Sequence, residues 1–167
     1  KDFDYCDVFN GIGLQMLLYL FALEENGQEL LGKDLKSAGV QYFPARVPLV
    51  STEGMLSEED AAKERESLWI RKGLILHDEI VLHAMENTDS LKRLSCKRTK
   101  DGTITGDVAN AEQLRMLKNY VFSIVGRIVD DIASGNVEPN PYTRGSSHNA
   151  CAFCPYGTIC CKAKVPG

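Results

Sequence analysis

A chain of 167 residues with 44% hydrophobic content has the length of about one domain and enough apolar side chains to bury a core. Its formal net charge of −4 and dispersed Lys and Arg argue against a free-standing nucleic-acid binder, which needs clustered cations to release counterions from phosphates. The longest apolar run, Gly11 to Leu23, is interrupted by Gln15 and falls short of the ~20 residues that span a bilayer, and no secretory segment is visible.

In chain order, Ile12, Met16, Leu17, Leu20 and Leu23 recur at helical spacing and predict a first helix from Val8 to about Glu25, stopped at Asn26-Gly27. Val40 to Val47 is rich in β-branched and aromatic residues and predicts a strand that Pro44 confines to an edge or a bulge. Ser57-Glu58-Glu59-Asp60 opens a solvated helix to about Leu68, its acids suited to the N-terminal end of the macrodipole. A shorter helix from about His77 to Asn87 should turn Ile80, Val81 and Ala84 inward. Between Leu94 and Val108, Asp101-Gly102 signals a hairpin with two short strands. Lys92, Arg93, Lys97, Arg98 and Lys100, the one local concentration of base, fit a solvated hairpin better than a DNA contact.

The clearest element is a helix from about Ala111 to Ser134. Asn110 and Gln113 have capping-box spacing, and Leu114, Leu117, Val121, Ile124, Val125, Ile128 and Ile132 form its apolar stripe before Gly135 ends it. Pro139 to Tyr142 and Gly145 to Ser147 then read as a structureless approach to four thiols. Cys6 and Cys96 stand alone, as small core residues do.

The tail carries Cys151, Cys154, Cys160 and Cys161. Two thiols three residues apart, with a third six residues further on, have the spacing of ligands for a soft cation or cluster. Disulfides or free thiols are the competing uses, and a CxxC without a secretory segment favours metal or redox chemistry over disulfides. Such a polar tail needs a staple, which ligation can supply. On the first helix, Gln15 and Tyr19 stand at i and i+4 and share a face. Spacing alone favours an exposed amide and a core aromatic over a functional pair.

The GxxLQxxxYL helix, Tyr42-Phe43-Pro44, Arg71-Lys72-Gly73-Leu74, the long helix closed by a glycine, the Pro-x-Pro-Tyr stretch and the CxxCxxxxxC tail together resemble the C-terminal nuclease domain of the B subunit of AddAB-type ATP-dependent helicase/deoxyribonucleases. The resemblance runs over nearly the whole chain. It implies a helix-rich α+β (α/β) fold, the C-terminal part of a RecB-like PD-(D/E)XK restriction-endonuclease-like domain. Residues 1–140 would be the partial nuclease domain and residues 141–167 a cysteine-rich tail. It implies an exonuclease that processes DNA ends in recombinational double-strand-break repair, in the cytoplasm, with DNA and the A subunit of a heterodimer as partners. Gln15 and Tyr19 fall in the QxxxY motif, accessory to catalysis. Cys151, Cys154 and Cys160 fall on ligands of a 4Fe-4S cluster, and Cys161 has no counterpart.

The family's active site also holds Mg2+ through an Asp and a (D/E)xK that precede the QxxxY helix. Lys1-Asp2-Phe3-Asp4 does not reproduce that pattern, the fourth cluster cysteine also lies upstream in the family, and no GxxxxGK[ST] is present. The chain is therefore expected to be a fragment that binds no ATP and cuts no DNA alone, and that could dimerise to cover exposed apolar surface. Two other readings stay open: a zinc-stapled interaction module using His148, Cys151, Cys154 and Cys160, and a helical structural domain with incidental cysteines.

Overall fold

The computed structural model describes residues 3–45, 54–88, 90–144, 148–157 and 159–160, with the backbone alone of His148, Asn149 and Phe153. Arg46 to Val47 of the expected strand, Gly145 to Ser147 and Cys161 lie outside the described residues. Two compact units are present, Lys1–Ser123 and Ile124–Gly167.

Asp4 accepts a hydrogen bond from the Cys6 amide (2.7 Å) and starts α1 (Tyr5–Phe9). The single helix expected from Val8 to Glu25 is in fact two. Gly11 and Gly13 take left-handed φ values of 77° and 70°, a conformation that costs other residues about 1–2 kcal/mol each, and the chain turns there before α2 (Gln15–Glu25). The buried line of this region is Leu14, Leu17 and Phe21, whereas Ile12, Met16 and Leu23 are exposed. The segment is apolar on several faces, so its periodicity underdetermines which face packs. Asn26 closes α2 through its amide on the Ala22 carbonyl, and a short α3 (Gly27–Leu31), not anticipated, restarts at once.

The next elements are β1 (Gly39–Tyr42), α4 (Glu58–Ser67), β2 (Lys72–Leu76), α5 (Glu79–Met85), β3 (Cys96–Arg98), β4 (Ile104–Gly106) and β5 (Val108–Ala109). β2 pairs antiparallel with β1, Gly39 opposite Ile75 and Tyr42 opposite Lys72, and parallel with β5, Ile75 opposite Val108. β1 is an edge of this three-stranded sheet and ends at Tyr42, two residues short of Pro44. Ser57 caps α4 on the Asp60 amide (3.1 Å), and none of that helix is buried, in line with its composition.

β2 carries no alternation: Gly73, Leu74 and Ile75 are all buried, so only its length and flanks could have marked it as a strand. α5 begins two residues later than expected because Asp78 accepts from the amides of Ile80 (2.9 Å) and Val81 (3.2 Å). On this helix Leu82 is buried against the core and Val81 is half-buried. Ile80, expected inside, is 80% exposed, and Ala84 is exposed as well.

The β3–β4 hairpin forms around Asp101-Gly102 with Cys96 opposite Gly106 and Arg98 opposite Ile104. Thr99 and Thr103 donate their hydroxyls to Asp101 and hold its carboxyl below the usual range. A core of Ile75, Leu82, Leu91, Leu94, Cys96 and Ile104 joins hairpin, sheet and α5. Cys96 is the small core residue expected, its thiol pKa pushed up by burial and, secondarily, by Glu86 and Asp107; Cys6, by contrast, is exposed.

Asn110 and Gln113 close the expected capping box reciprocally, each side chain accepting the other's amide at 2.8 Å, and start α6 (Ala111–Ala133). Leu114, Leu117, Val121 and Ile124 are buried, but Ile128 is exposed and Ile132 is 73% exposed, so the stripe is a core face only in its first half. Lys118 on α6 reaches Glu25 (2.5 Å) and Glu24 (3.6 Å) on α2, chiefly its bond to Glu25 raising its pKa. Gly135 ends the helix at φ 70°.

Beyond it the approach to the cysteines is not wholly irregular: β6 (Thr143–Arg144) pairs antiparallel with β7 (His148–Asn149), followed by a 3-10 turn over Ala150–Phe153. Among the described residues, no helix is long and apolar enough to cross a membrane.

Candidate functional site

Two places bear on chemistry in the first unit. On α2, Gln15 Nε2 donates to Tyr19 Oη at 2.8 Å, and both residues are exposed, Tyr19 by 56%. Tyr19 is thus not the core aromatic that spacing alone favoured. The helix projects both side chains to one face because four residues complete slightly more than a turn, and their mutual bond holds them as a pair. The phenol oxygen accepts from the amide, leaving the Gln15 carbonyl as acceptor and the Tyr19 hydroxyl hydrogen as donor toward whatever lies against that face. Leu17 and Phe21, interleaved with them, are buried and anchor the helix from behind.

The second place escaped sequence reasoning. Phe43 just beyond β1, Trp69 and Arg71 ahead of β2, and Arg93 ahead of β3 line a cleft of about 400 Å³. The Arg71 guanidinium stands 5.4 Å from the Phe43 ring centroid, donates to the Met85 carbonyl (3.2 Å) and lies 3.9 Å from the Glu86 carboxylate. Glu86 in turn accepts from the amides of Lys92 (3.0 Å) and Arg93 (2.9 Å). The signal available in the sequence was the single tryptophan two residues from an arginine, with a separate basic stretch that opens at Lys92.

Of that basic stretch, Arg98 is committed to Glu79 through two bonds of 3.0 and 2.7 Å, which lower the Glu79 pKa. A larger cavity of about 560 Å³ is bounded by Tyr5, Phe9, Leu74, Met116 and Tyr120 among others and has no charged side chain in its lining.

In the second unit, Cys154 donates its amide to the Cys151 carbonyl (3.3 Å) and Cys160 to the Tyr156 carbonyl (2.9 Å), so the thiols sit on successive tight turns. Cys151 and Cys160 are half-buried and Cys154 is exposed. Three thiols in ten residues, on a backbone already turned, form a donor set suited to a soft metal or iron-sulfur cluster. Among the described residues no three His, Cys, Asp or Glu side chains lie close enough together to hold a metal, so ligation would draw these thiols together.

Comparison with known proteins extends these observations. The profile of the PD-(D/E)XK nuclease superfamily matches residues 1–161. Curated relatives include the B subunit of the ATP-dependent helicase/deoxyribonuclease of Moorella thermoacetica, 34% identical over 98% of this chain and 15% of the relative. The proteins of the same name from Clostridium tetani and Bacillus thuringiensis are 32% and 33% identical, each over 96% of this chain and 14% of the relative. The chain thus spans about one seventh of the length of these relatives. With its mixed α+β architecture, this chain belongs to the PD-(D/E)XK nuclease superfamily.

Proposed function

We propose that this chain is part of the nuclease domain of the B subunit of a helicase/deoxyribonuclease that digests DNA ends in recombinational double-strand-break repair, with an A subunit as its partner. The observation that carries the reading is the Gln15–Tyr19 pair, bonded at 2.8 Å on an exposed helix face in a chain that matches the superfamily over residues 1–161. Held together, the pair offers one acceptor and one donor in fixed relation, which suits the positioning of a phosphate or a water rather than metal ligation. Mg2+ would be held by carboxylates outside the residues described, and its chemistry is to polarise the phosphoryl oxygen and lower the pKa of the attacking water.

A turnover assay on linear duplex DNA tests this in the subunit that carries the segment. Gln15→Ala should reduce kcat about tenfold or more while the melting temperature stays in place, because the residue is exposed and its side chain bonds to the equally exposed Tyr19. Unchanged turnover with a large loss of stability would make Gln15 a structural residue. The 167-residue chain alone, whose Lys1-Asp2-Phe3-Asp4 lacks the (D/E)xK pattern, is expected to cut nothing.

For the tail, we infer that Cys151, Cys154 and Cys160 ligate a 4Fe-4S cluster, which would act as a covalent staple on a segment with little apolar burial of its own. In the same subunit, Cys154→Ala should release iron and labile sulfide, and Cys161→Ala should not. Zinc in place of iron in the unaltered protein would favour the zinc-stapled module instead.

A further inference from the structure

The cleft of Phe43, Trp69, Arg71 and Arg93 has a chemistry that the nuclease reading does not use. Phe43 is 68% exposed and Trp69 40% exposed, although aromatic rings of this size contribute most when buried. Arg71 covers part of the Phe43 ring and is otherwise consumed by Met85 and Glu86. Its charge is therefore largely neutralised in place and serves to fix the ring.

Arg93 differs. It is exposed, its backbone is pinned by the Glu86 carboxylate and by the Arg71 amide on its carbonyl (2.8 Å), and its guanidinium has no ion pair among the described residues. Lys92 next to it is also exposed. Two presented rings beside a guanidinium that has no ion pair among the described residues, on a fixed backbone, are the elements of a stacking platform for unpaired bases, with the cation placed for the phosphate. Duplex DNA offers no free base face to such a site.

We propose that this cleft binds single-stranded DNA, one or two bases stacking on Trp69 and Phe43 and the neighbouring phosphate meeting Arg93. That the strand is DNA rests on the nuclease reading; the cleft itself requires an unpaired base and a phosphate. The acidic balance of the whole chain does not oppose this, because at physiological salt screening confines the relevant field to about 8 Å around the site.

Trp69 is the sole tryptophan, so its fluorescence reports on the cleft alone. The 167-residue chain is titrated with an oligothymidylate of about fifteen nucleotides, a length within the usual footprint of such sites. Saturable quenching is expected, weakened about tenfold by Phe43→Ala. Arg93→Ala should weaken it too and make the dependence of log affinity on log salt shallower by about 0.7.

Absence of quenching at low salt would overturn the proposal. So would equal quenching by duplex of the same length, equal affinity for thymidine monophosphate, or indifference to both substitutions. Failed quenching with cleavage still dependent on Gln15 would sink the stacking site and spare the nuclease reading; normal quenching with cleavage indifferent to Gln15 would do the reverse.

Discussion

Gly73→Ala should lower the unfolding free energy by about 3 kcal/mol or more, an effect of the size reserved for backbone strain and forced separation of packed elements. Gly73 sits in the middle strand of the sheet opposite Gln41, at φ 150°, and a Cβ there would lie 1.9 Å from the Val40 carbonyl oxygen and 2.9 Å from its carbon. No rotamer relieves such a clash, because both sides are backbone. The strands must part, and with them the bond from the Ser95 hydroxyl to the Gly73 carbonyl (3.0 Å) that ties the hairpin to the sheet. For a chain of this size the melting midpoint should fall by about 6–12 °C. A variant that melts within a degree or two of the original would mean that β1 and β2 are not paired in this register.

The second large effect is expected at Glu86. One carboxylate there accepts the amides of Lys92 and Arg93, receives the Thr88 hydroxyl (3.0 Å) and faces the nearly buried Arg71 guanidinium. Removing it leaves a cation with reduced solvation and two amides without partners, at a cost of about 3 kcal/mol. The same bonds brace Leu91, which is buried at a φ of 45°, a left-handed conformation that a leucine does not adopt unaided. Glu86→Ala should therefore destabilise the chain in urea, whereas Glu86→Gln, which keeps one acceptor oxygen, should recover part of the loss. Leu91→Gly in the Glu86→Ala background should lose more than it does alone, since the strain that glycine would relieve has already relaxed. A full leucine-to-glycine penalty in both backgrounds would show that the two residues are not coupled.

What could be read from the sequence was whatever short-range chemistry decides. The Asn110–Gln113 capping box, the Ser57 cap of α4 and the Asp101-Gly102 turn each involve residues at most four apart, and each forms as expected. The Gln15–Tyr19 bond has the same short reach, but spacing alone favoured a core Tyr19, and its exposure follows from Leu17 and Phe21 taking the buried face.

The break at Gly11 and Gly13 was visible as two glycines but lost in the apolar pattern around them, which continued the helix on paper. Burial on α5 went to Leu82 rather than Ile80 because Ile75, Leu94 and Ile104, from distant segments, decide what that helix faces. The same holds for the cleft. Phe43, Trp69 and Arg93 come together only because β1 and β2 pair and Arg71 bonds to the backbone of Arg93, and no local pattern foretells that.

The turns that carry the cysteines have a property of their own. The amides of Cys154, Gly157, Ile159 and Cys160 bond to carbonyls only three or four residues back. Bonds of such short reach close little chain and can open one at a time, each with a small free energy of its own, so amide protons here are expected to exchange with solvent as independent events rather than with the core. A ligand gripping Cys151, Cys154 and Cys160 together would convert that sequence of separate openings into one cooperative unit, and hydrogen exchange would slow at all four amides in step. The tail thus has its backbone turns in place while the cooperativity that would unite them is left for a bound ligand to supply.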